Sequence, residues 1–517
     1  MSVPVLGIDL GTRYALSALP LQGKGVVVVP SRWGGGRTPS VTALTQSGWR
    51  AGEDAARSEM RNPSTTWWDM KRKLGSSWRA RCGRASYTAE DVLVPLLTLL
   101  REDAEAFLGA FISSCVLTVP AFFSFAERSA MGRAARSSGF SNVRIVNEPT
   151  AAALAFGAMG KFLILDYGAG TVDISVVESE GGVWQVLESA GLPASGGRDF
   201  DILLASGLNE KMKLPRLEDN SPLWRTLLYE AESLKIALSS CASCEWTPPA
   251  GISCSPLRVT REEFEDLIRP SIEQVTAAVR RLWMKFKPSK LLLVGGGSRI
   301  PLLRALLEER VARPEHLNQC PDESVVTGAA LYGMSPTKER LLIDVLSQDL
   351  GILAADGTPV TLLEKGLHLP VRAERCFYSV GSGPFTMSVF QGEGSARRII
   401  ASVQAPEARK DEEITLSFSV DSDGFLKIDI IRSDGRVSSI APLELGEGIP
   451  SSPSETTAEA KGLEKRFARL SVSLSPAQQA RGAALLRTMK TLGDGDSSSE
   501  AFDSLERMIS EMERVVR

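Results

Sequence analysis

Histidine is nearly absent from this sequence, and cysteine is scarce. Only His316 and His368 occur in 517 residues, which argues against a catalyst or metal site built on imidazole. The seven cysteines are scattered and odd in number, which suits reduced thiols better than a disulfide framework. Cys241, Cys244 and Cys254 have part of a zinc-binding spacing but no clear fourth ligand, so we favour a loop with free thiols there.

The sequence also lacks an excess of one charge and a long apolar run. Its 59 Lys and Arg face 62 Asp and Glu, and a net charge of −3 implies no general affinity for nucleic acid or membrane. The apolar run 26–29 is far too short to span a bilayer. The first residues lead into a strand without the basic and apolar regions of a signal peptide, so we expect a cytoplasmic protein.

The stretch 163–177, LILDYGAGTVDISVV, has a carboxylate on each side of a Gly-rich turn. An apolar strand ends at Asp166, and alternation that includes Asp173 follows the turn. Glycines let backbone N–H groups approach an anion, and Thr171 adds a hydroxyl. Because carboxylates repel phosphate, the pattern makes sense if a hydrated cation such as Mg²⁺ lies between them. Calcium loops and ordinary hairpins share this pattern, so the turn alone decides nothing.

A second copy of this pattern lies at the N-terminus. An apolar strand ends at Asp9, a turn spans 10–13, and another strand leaves from Tyr14. Two such hairpins, each opening one half of a long domain, can face each other across a cleft and clamp a polyphosphate–metal complex. This internal repeat is a stronger signal than either turn alone. With 43% apolar residues, the chain can hold two or three domains with hydrophobic cores.

Strands and helices alternate through the first 335 residues, which predicts an α/β domain. A helical pattern over 224–239 places Glu232, Lys235 and Ser239 on one face, a pattern that an exposed ion-pair face also shows. Three glycines at 295–297 follow a buried strand and permit a ring or phosphate to approach the backbone closely.

Eight segments occur in the order and spacing of the heat-shock-protein-70 (DnaK-like) chaperone family, which this chain resembles. They are GIDLGT, MKRKLG, LTVPAFF, VNEPTAAALAFG, ILDYGAGTVDIS, GGRDFD, EAESLKIALS and LVGGGSRIP. The resemblance runs from about residue 3 to 335, and more weakly to about 436. Sugar kinases and actins share the hairpins, but not the NEPTAAA segment together with VPAFF. The resemblance implies an α/β actin-like ATPase of two lobes, a β-sandwich peptide-binding domain and a short α-helical tail.

The resemblance also implies ATP or ADP and Mg²⁺ as ligands, with K⁺ as a further candidate. Lys71 matches the lysine that positions the γ-phosphate and the attacking water, although a solvated basic face would also explain its triplet. Phosphoryl transfer to water depends on such positioning and on positive charge. The implied catalytic residues are Asp9, Lys71, Glu148, Thr171 and Asp173, and Asp9, Asp166 and Asp173 would hold Mg²⁺ through water. The implied nucleotide-binding residues are Gly11, Thr12, Arg13, Asp166, Gly168, Ala169, Gly170, Gly196, Gly197, Glu232, Lys235, Ser239, Gly295, Gly296, Gly297, Arg299 and Asp322.

The implied partners are unfolded or extended peptides, a J-domain cochaperone and a nucleotide exchange factor. Pro120 and Arg128 match positions that relay the nucleotide state, and Arg144 and Asp344 match positions where J-domain proteins dock. We predict five segments, which are an actin-like nucleotide-binding domain at 1–336, an interdomain linker at 337–346, a β-sandwich at 347–443, a flexible link at 444–474 and a helical tail or reduced lid at 475–517.

The predicted linker contains a run of leucines that would be costly to expose. It is therefore a candidate switch that docks in some states, or else simply the first strand of the next domain.

Four departures from the family pattern affect the cleft. Arg13 stands where the family has a small residue, and its guanidinium could pair with phosphate or obstruct the site. Ala169 replaces a glycine, which would cost about 1 kcal/mol if the position needs positive φ. Gly297 replaces a serine, and the region 75–87 is shorter than in the family, so one lobe is trimmed.

Two functions fit these observations, and we favour the first. In the first, which the resemblance implies, the chain would be a slow ATPase that couples ATP binding and hydrolysis to peptide binding and release; its retained lysine and carboxylates support this function. Alternatively, it is a nucleotide-binding regulator or scaffold with little hydrolysis that acts with a partner chaperone, as Arg13, Ala169 and the short tail suggest. A sugar-kinase-like enzyme is a distant third.

Overall fold

A computed structural model describes residues 4–59, 61–157, 159–193, 195–215, 217–218, 221–249, 252, 254–316, 321–334, 341–354, 357–379, 381–394 and 397–440. The predicted link at 444–474 and helical tail at 475–517 lie outside these residues. None of the helices in the described ranges is long and apolar enough to cross a membrane. We call the described part of 4–334 the N-terminal domain and the described part of 347–440 the β-domain.

The first half of the N-terminal domain contains eleven described strands and four described α-helices. The strands are β1 (Val5–Leu10), β2 (Tyr14–Leu21), β3 (Gly25–Val28), β4 (Thr38–Pro39), β5 (Val41–Thr45), β6 (Gly48–Ala51), β7 (Thr66–Trp68), β8 (Arg79–Cys82), β9 (Ala85–Thr88), β10 (Ser114–Val119) and β11 (Asn142–Asn147). The helices are α1 (Glu53–Ser58), α2 (Ala89–Leu108), α3 (Phe125–Ser137) and α4 (Glu148–Phe156).

The second half repeats this alternation. Its described strands are β12 (Gly160–Tyr167), β13 (Thr171–Glu180), β14 (Val183–Pro193), β15 (Ser243–Trp246), β16 (Leu257–Thr260), β17 (Lys290–Val294) and β18 (Glu315–His316). Its described helices are α5 (Gly197–Lys211), α6 (Pro222–Leu238), α7 (Arg261–Phe286), α8 (Pro301–Arg310) and α9 (Ser324–Gly333).

The main sheets of the two halves have the same topology. One has the strand order β11-β10-β1-β2-β3, with β4 beside β2, and the other contains the order β18-β17-β12-β13-β14. In each, an antiparallel hairpin (β1–β2 or β12–β13) is followed by two parallel strands added on the side of its first strand. The repeat that the two Gly-rich turns predicted is therefore present throughout the backbone topology, and it confirms the α/β prediction for this part of the chain.

Two small-residue helices, α4 and α9, hold the sheets together. Ala151, Ala152 and Ala153 of α4 are buried in one apolar cluster with strands of both sheets and with α9. The helices approach so closely that a Cβ on Gly328 would lie 1.7 Å from the carbonyl oxygen of Ala151. Only glycine allows this distance. The packing brings the two hairpin turns to the same cleft.

The remaining chain is rich in strands. They are β19 (Leu341–Ile343), β20 (Leu350–Leu353), β21 (Pro359–Leu363), β22 (Val371–Tyr378), β23 (Gly383–Gln391), β24 (Arg398–Ala408), β25 (Glu413–Val420), β26 (Leu426–Arg432) and β27 (Val437–Ile440). Two four-stranded sheets, β21-β20-β23-β24 and β22-β25-β26-β27, contribute side chains to one core, including Leu350 and Phe418 at 0% exposure.

Strand β19 does not join the sheets that follow it. It pairs in parallel with β14, and so extends the second sheet of the N-terminal domain to six strands. These residues belong to the predicted linker, which in this structure is docked against the N-terminal domain; the linker residues 337–340 lie outside the described part.

The β-domain also contacts the N-terminal domain directly. Phe425, in the turn before β26, is buried in the core of the first half, and a Cβ on Gly132 of α3 would lie 3.2 Å from its ring. In return, Phe125 and Ala126 at the start of α3 join the core of the β-domain. Each domain thus completes part of the other's apolar core.

Candidate functional site

A cleft of about 390 Å³ lies where the two hairpin turns face each other. The turns touch, since a Cβ on Gly170 of the second turn would lie 2.2 Å from Thr12 Oγ1 of the first. Within the first turn, a Cβ on Gly11 would lie 2.4 Å from the Tyr14 carbonyl oxygen. A larger residue at Gly170 would therefore push the two turns apart, and one at Gly11 would distort the first turn itself. Every residue that the sequence assigned to catalysis or nucleotide binding lines this cleft, with the exceptions of Asp173 and Gly196.

The N-terminus of α5 supports the second turn. The N–H of Gly197 donates to the Gly168 carbonyl at 3.0 Å, and the N–H of Arg198 donates to the Ala169 carbonyl at 2.6 Å. Gly196 is the N-cap of α5, and a Cβ there would lie 2.5 Å from the Ala169 carbonyl oxygen. Gly196 therefore acts behind the turn, which explains why it does not line the cleft.

Ala169 adopts ordinary backbone geometry. The described non-glycine residues with positive φ are Asp69, Lys213, Lys287 and Asp411. Ala169 therefore does not have the positive φ that would have cost free energy. The alanine that replaces the family's glycine leaves the turn without backbone strain.

A buried lysine and a buried glutamate meet at the floor of the cleft. Lys71 lies in the 3₁₀ helix Met70–Lys73, and Glu148 is the first residue of α4. Their side chains form an ion pair and are only 6% and 9% exposed. Burial alone would lower the pKa of Lys71, but the negative charges of Glu148 and Asp9 outweigh it and raise that pKa. Lys71 is therefore a fixed positive charge.

Three aspartates stand at the strand ends beside this pair. Asp9 accepts a hydrogen bond from Thr118 Oγ1 at 2.8 Å, and Asp173 Oδ1 accepts one from the N–H of Ala121 at 2.7 Å. Burial, together with the negative charge of Glu148, raises the pKa of Asp9 to about 6 and raises the pKa values of Asp166 and Asp173 well above their usual range. Asp173 is 1% exposed and lies behind Asp166, its cross-strand partner.

These residues fit a hydrated divalent cation. Four carboxylates share the buried floor with a single ammonium group, so the site lacks positive charge, and Asp173 Oδ2 is buried without a hydrogen-bond partner among the described residues. Hard oxygen ligands of this kind suit Mg²⁺, which keeps several of its waters. No three His, Cys, Asp or Glu side chains in the described ranges are arranged to hold a metal ion directly, so contact through water is the arrangement that fits.

The three cysteines that have part of a zinc-binding spacing do not line this cleft. Cys241 Sγ and Cys244 Sγ lie 3.5 Å apart, and both residues and Cys254 are free thiols.

Helix α6 forms one wall of the outer cleft. Lys235 Nζ pairs with Asp201 at 2.6 Å and donates to the Gly197 carbonyl at 3.0 Å, while Glu232 pairs with Arg13 from the opposite half. Ser239 lies at the end of the same face and its hydroxyl donates to the Lys235 carbonyl at 3.1 Å. The helical face predicted from the spacing is thus directed into the cleft, and two of its charges have partners there.

Arg13 is held by contacts that the sequence did not reveal. Its Nε donates to Glu232 Oε1 at 3.3 Å, and its guanidinium lies 4.3 Å from the centre of the Trp68 ring. The side chain is 10% exposed. The guanidinium that the sequence placed beside the phosphates is therefore paired with a carboxylate instead.

The glycine run forms the opposite wall. Gly295 has a φ of 78°, and a Cβ there would lie 2.5 Å from Asp166 Oδ1. A Cβ on Gly297 would lie 2.3 Å from the Tyr167 ring, so the buried tyrosine fills the space that a serine would need. Arg299 pairs with Asp322 at 2.9 Å at the rim.

Sequence analysis missed several residues of the cleft. Arg37 reaches across to Asp322, and Ile236, which is 62% exposed, lines the cleft beside Lys235. An apolar residue on an otherwise charged helical face was a readable signal for Ile236. No local pattern identifies Arg37 or Trp68, because their partners are distant in the sequence.

The residues assigned to relay and docking lie outside the cleft, at or near the contact with the β-domain. Arg128 donates to Asn147, and Asn147 Nδ2 donates to Asp344 Oδ2 at 2.7 Å. Arg144 pairs with Asp423 at 3.4 Å and stacks on Tyr332. Pro120, which is buried, opens the segment that leads from the cleft to this contact.

That short segment, 121–125, connects the floor of the cleft to the β-domain. At one end the N–H of Ala121 donates to Asp173. Further along, the Phe122 carbonyl accepts from Gln348 Nε2 at 3.0 Å, and the N–H of Phe125 donates to Gln391 Oε1 at 2.9 Å. Hydrogen bonds along this segment therefore connect Asp173 to two glutamines of the β-domain.

Comparison with known proteins agrees with this arrangement. The family described as Hsp70 protein matches residues 5–465. Chaperone protein DnaK of Thermotoga neapolitana is 34% identical over 463 residues, which covers 82% of this chain and 77% of the relative. Chaperone protein DnaK of Thermotoga petrophila and of Thermotoga maritima give the same identity and coverage. With its paired hairpin turns around a lysine and carboxylates, the chain belongs to the Hsp70 family, whose members are ATP-dependent molecular chaperones with an actin-like ATPase domain.

Proposed function

We propose that this chain hydrolyses ATP in the cleft between its two hairpin turns, with Lys71 and Glu148 as the residues that position the attacking water. The observation that carries this proposal is the buried Lys71–Glu148 ion pair at the floor, beside both turns. Lys71 supplies a permanent positive charge to the γ-phosphate, and Glu148 accepts a hydrogen bond from the water. Neither residue needs to form a covalent bond, since phosphoryl transfer relies on positioning and charge.

The turns bind the phosphates in this proposal. Backbone N–H groups and hydroxyls of Gly11, Thr12, Gly170 and Thr171 lie at the phosphate end, where close approach is possible because the glycines have no side chain. Asp9, Asp166 and Asp173 would hold Mg²⁺ through water, and that ion, when bound, offsets the negative charge of the β- and γ-phosphates. K⁺ is a further candidate for the carboxylate-rich floor.

The nucleoside lies between α6 and the glycine run. Glu232, Lys235 and Ser239 face one side of the outer cleft, and Gly296 and Arg299 face the other. A Cβ on Gly296 would meet nothing closer than 3.6 Å, which leaves space for a flat ring.

The two sheets of the β-domain are proposed to form a peptide-binding β-sandwich for extended, unfolded segments. Their shared apolar core and antiparallel pairing support this reading, because such a sheet can bind a strand at its edge. We keep the proposed boundaries of 1–336, 337–346 and 347–443, with a short helical lid after them.

The docked β19 and the segment 121–125 are proposed to couple the two activities. ATP favours docking, and hydrolysis releases the β-domain through Pro120, Arg128 and the Asp173 contact. A J-domain cochaperone would act where Arg144 pairs with Asp423 of the β-domain and Asp344 of the linker accepts a hydrogen bond from Asn147, and an exchange factor would open the cleft. We place this cycle in the cytoplasm.

Single-turnover hydrolysis of radiolabelled ATP tests the proposal, with nucleotide binding followed in parallel. We expect slow cleavage by the wild type and a loss of at least about 100-fold in Lys71→Ala, because removal of one preorganised charge typically costs two to three powers of ten. Lys73→Ala is the matched control, since Lys73 is exposed on the same 3₁₀ helix. Tight ATP binding without cleavage by the wild type would overturn the proposed roles.

A further inference from the structure

A second cavity, of about 520 Å³, lies between the N-terminal domain and the β-domain. Four residues line both this cavity and the cleft, namely Thr12, Lys71, Gly170 and Thr171. All four belong to the phosphate end of the cleft and none to the nucleoside end. The second cavity therefore adjoins the place where the γ-phosphate would lie, on the side away from the nucleoside.

The walls of this cavity are rich in positive charge. Arg281 of α7 and Lys365 and Arg398 of the β-domain are exposed, and none of the three forms an ion pair with any residue that the structure describes. The acidic residues among the lining are Glu127 and Glu393. Glu127 already accepts hydrogen bonds from the N–H and hydroxyl of Ser124, which cap α3. The charge of Arg398 already acts on Glu127, so Arg281 and Lys365 are the basic side chains with the most unused capacity for an anion.

We propose that this cavity is the exit vestibule for inorganic phosphate. The inference rests on the proposed hydrolysis: water adds to the γ-phosphorus, the bond to the bridging oxygen breaks, and the proton of water passes to the products. ADP then occupies the nucleoside side of the cleft and closes that route. Orthophosphate lies beside the four shared residues, and a cavity lined by basic groups attracts an anion.

The vestibule has walls from both domains. Ser347, Gln348 and Gln391 line it together with residues of the N-terminal domain, and both glutamines bond the segment 121–125. Phosphate that leaves by this route passes through the contact between the domains. The departure of phosphate and the release of the β-domain consequently involve the same contact between the two domains.

The first experiment measures equilibrium binding of radiolabelled orthophosphate to the full chain loaded with ADP and Mg²⁺. We expect Lys365→Glu/Arg398→Glu and, separately, Arg281→Glu to weaken phosphate binding about tenfold at low salt, and added salt to reduce the difference. Arg375→Glu in the β-domain and Arg258→Glu in the N-terminal domain are matched controls, because both arginines are exposed and line neither cavity. Equal weakening in the controls, no weakening in the vestibule variants, or no phosphate binding by the wild type would each overturn the proposal.

A second experiment tests the cavity as a route. Ser347→Trp should obstruct the vestibule, and phosphate should then leave the ADP-loaded protein at least about fivefold more slowly after dilution into a fluorescent phosphate sensor. Ser233→Trp, on the exposed face of α6, should leave the rate unchanged. Quenched ATP cleavage is measured on the same proteins. Absent cleavage in the wild type would count against the proposed hydrolysis, whereas normal cleavage with unaltered phosphate departure in Ser347→Trp would count against the vestibule alone.

Discussion

Arg13 and Glu232 are 219 positions apart in sequence and form a buried ion pair across the cleft. Burial alone would raise the pKa of Glu232, but the hydrogen bond and charge of Arg13 outweigh it and lower that pKa. Arg13 belongs to the first hairpin turn and Glu232 to α6, so the pair ties the two halves of the N-terminal domain together at the mouth of the cleft. Breaking a buried pair is costly, because one charge stays behind without a partner.

We therefore predict that Arg13→Thr speeds the release of ADP. The cleft must open for ADP to leave, and the loss of about 1.4 kcal/mol from the closed state corresponds to a tenfold faster rate. Stopped-flow release of a fluorescent ADP analogue measures this. Arg225→Ala is the control, because Arg225 also joins the two halves, through a hydrogen bond to the Pro63 carbonyl and a 3.6 Å pair with Glu59 in which about a quarter of each side chain is exposed. Unchanged release in Arg13→Thr would show that the pair does not hold the cleft closed.

The half-buried Asp9 makes stability depend on pH. Its pKa in the folded protein is about 6, above the ordinary aspartate value of 3.8, so the folded state binds the proton more tightly than the unfolded chain does. The stabilisation from that proton is fully present below the unfolded pKa and is lost as pH rises through about 6. In metal-free protein the loss amounts to about 3 kcal/mol, from 1.36 kcal/mol per pKa unit.

Urea denaturation between pH 4 and 8 in EDTA measures this effect. The free energy of unfolding of the wild type should fall with rising pH relative to that of Asp9→Asn, which has no titrating group at this position. Mg²⁺ should reduce the fall, because it stabilises the ionised carboxylates. Asp201→Asn is a second variant for comparison. Burial also raises the pKa of Asp201 to about 6, but this residue pairs with Lys235 and lies away from the cleft floor. A parallel pH dependence in wild type and Asp9→Asn would contradict the prediction.

Phe425 should control docking of the β-domain. Its ring is 8% exposed and is buried in the core of the first half, so Phe425→Ala removes apolar contacts worth about 3 kcal/mol or more. We expect faster hydrogen exchange at β19 and in the segment 121–125, with the fold of each domain retained. Val437→Ala is the control, because Val437 is 56% exposed on β27. Unchanged exchange at both segments would show that Phe425 does not hold the domains together.

Gly170 should tolerate no side chain. A Cβ there would lie 2.2 Å from Thr12 Oγ1, so Gly170→Ala must move one hairpin turn away from the other. Isothermal titration should show ATP binding at least about tenfold weaker, while Gly207→Ala on α5, where a Cβ meets nothing closer than 3.7 Å, should bind normally. Normal ATP affinity in Gly170→Ala would mean that contact between the turns is not needed for the phosphate site.

The sequence predicted those features of the structure that depend on residues close together in the chain. The turns after Asp9 and Asp166 are marked by glycines and alternating strands, and the face of α6 follows from the spacing of Glu232 and Lys235. The partners of that face were not predictable in the same way. Arg13 contacts Glu232, and Phe425 contacts the first half, although the partners are hundreds of residues apart in the sequence. A pattern within a short stretch of sequence cannot indicate such a contact.

Ala169 and the linker show a second limit. Whether a residue needs positive φ depends on how the turn is supported, here by hydrogen bonds from the N-terminus of α5, and not on the turn sequence alone. The leucine-rich linker was readable as either a docked segment or a first strand. It is a strand, but it pairs with β14 of the preceding domain.

That pairing has a further consequence for a protein that handles unfolded chains. With β19 in place, the first three residues of β14, Val183 to Gln185, are covered at this edge by a strand of the protein itself. Whenever β19 leaves, β14 presents a row of unpaired N–H and C=O groups, which is a template for any extended segment nearby. The docked linker therefore also keeps the N-terminal domain from pairing with the kind of extended segment that the β-domain is proposed to bind.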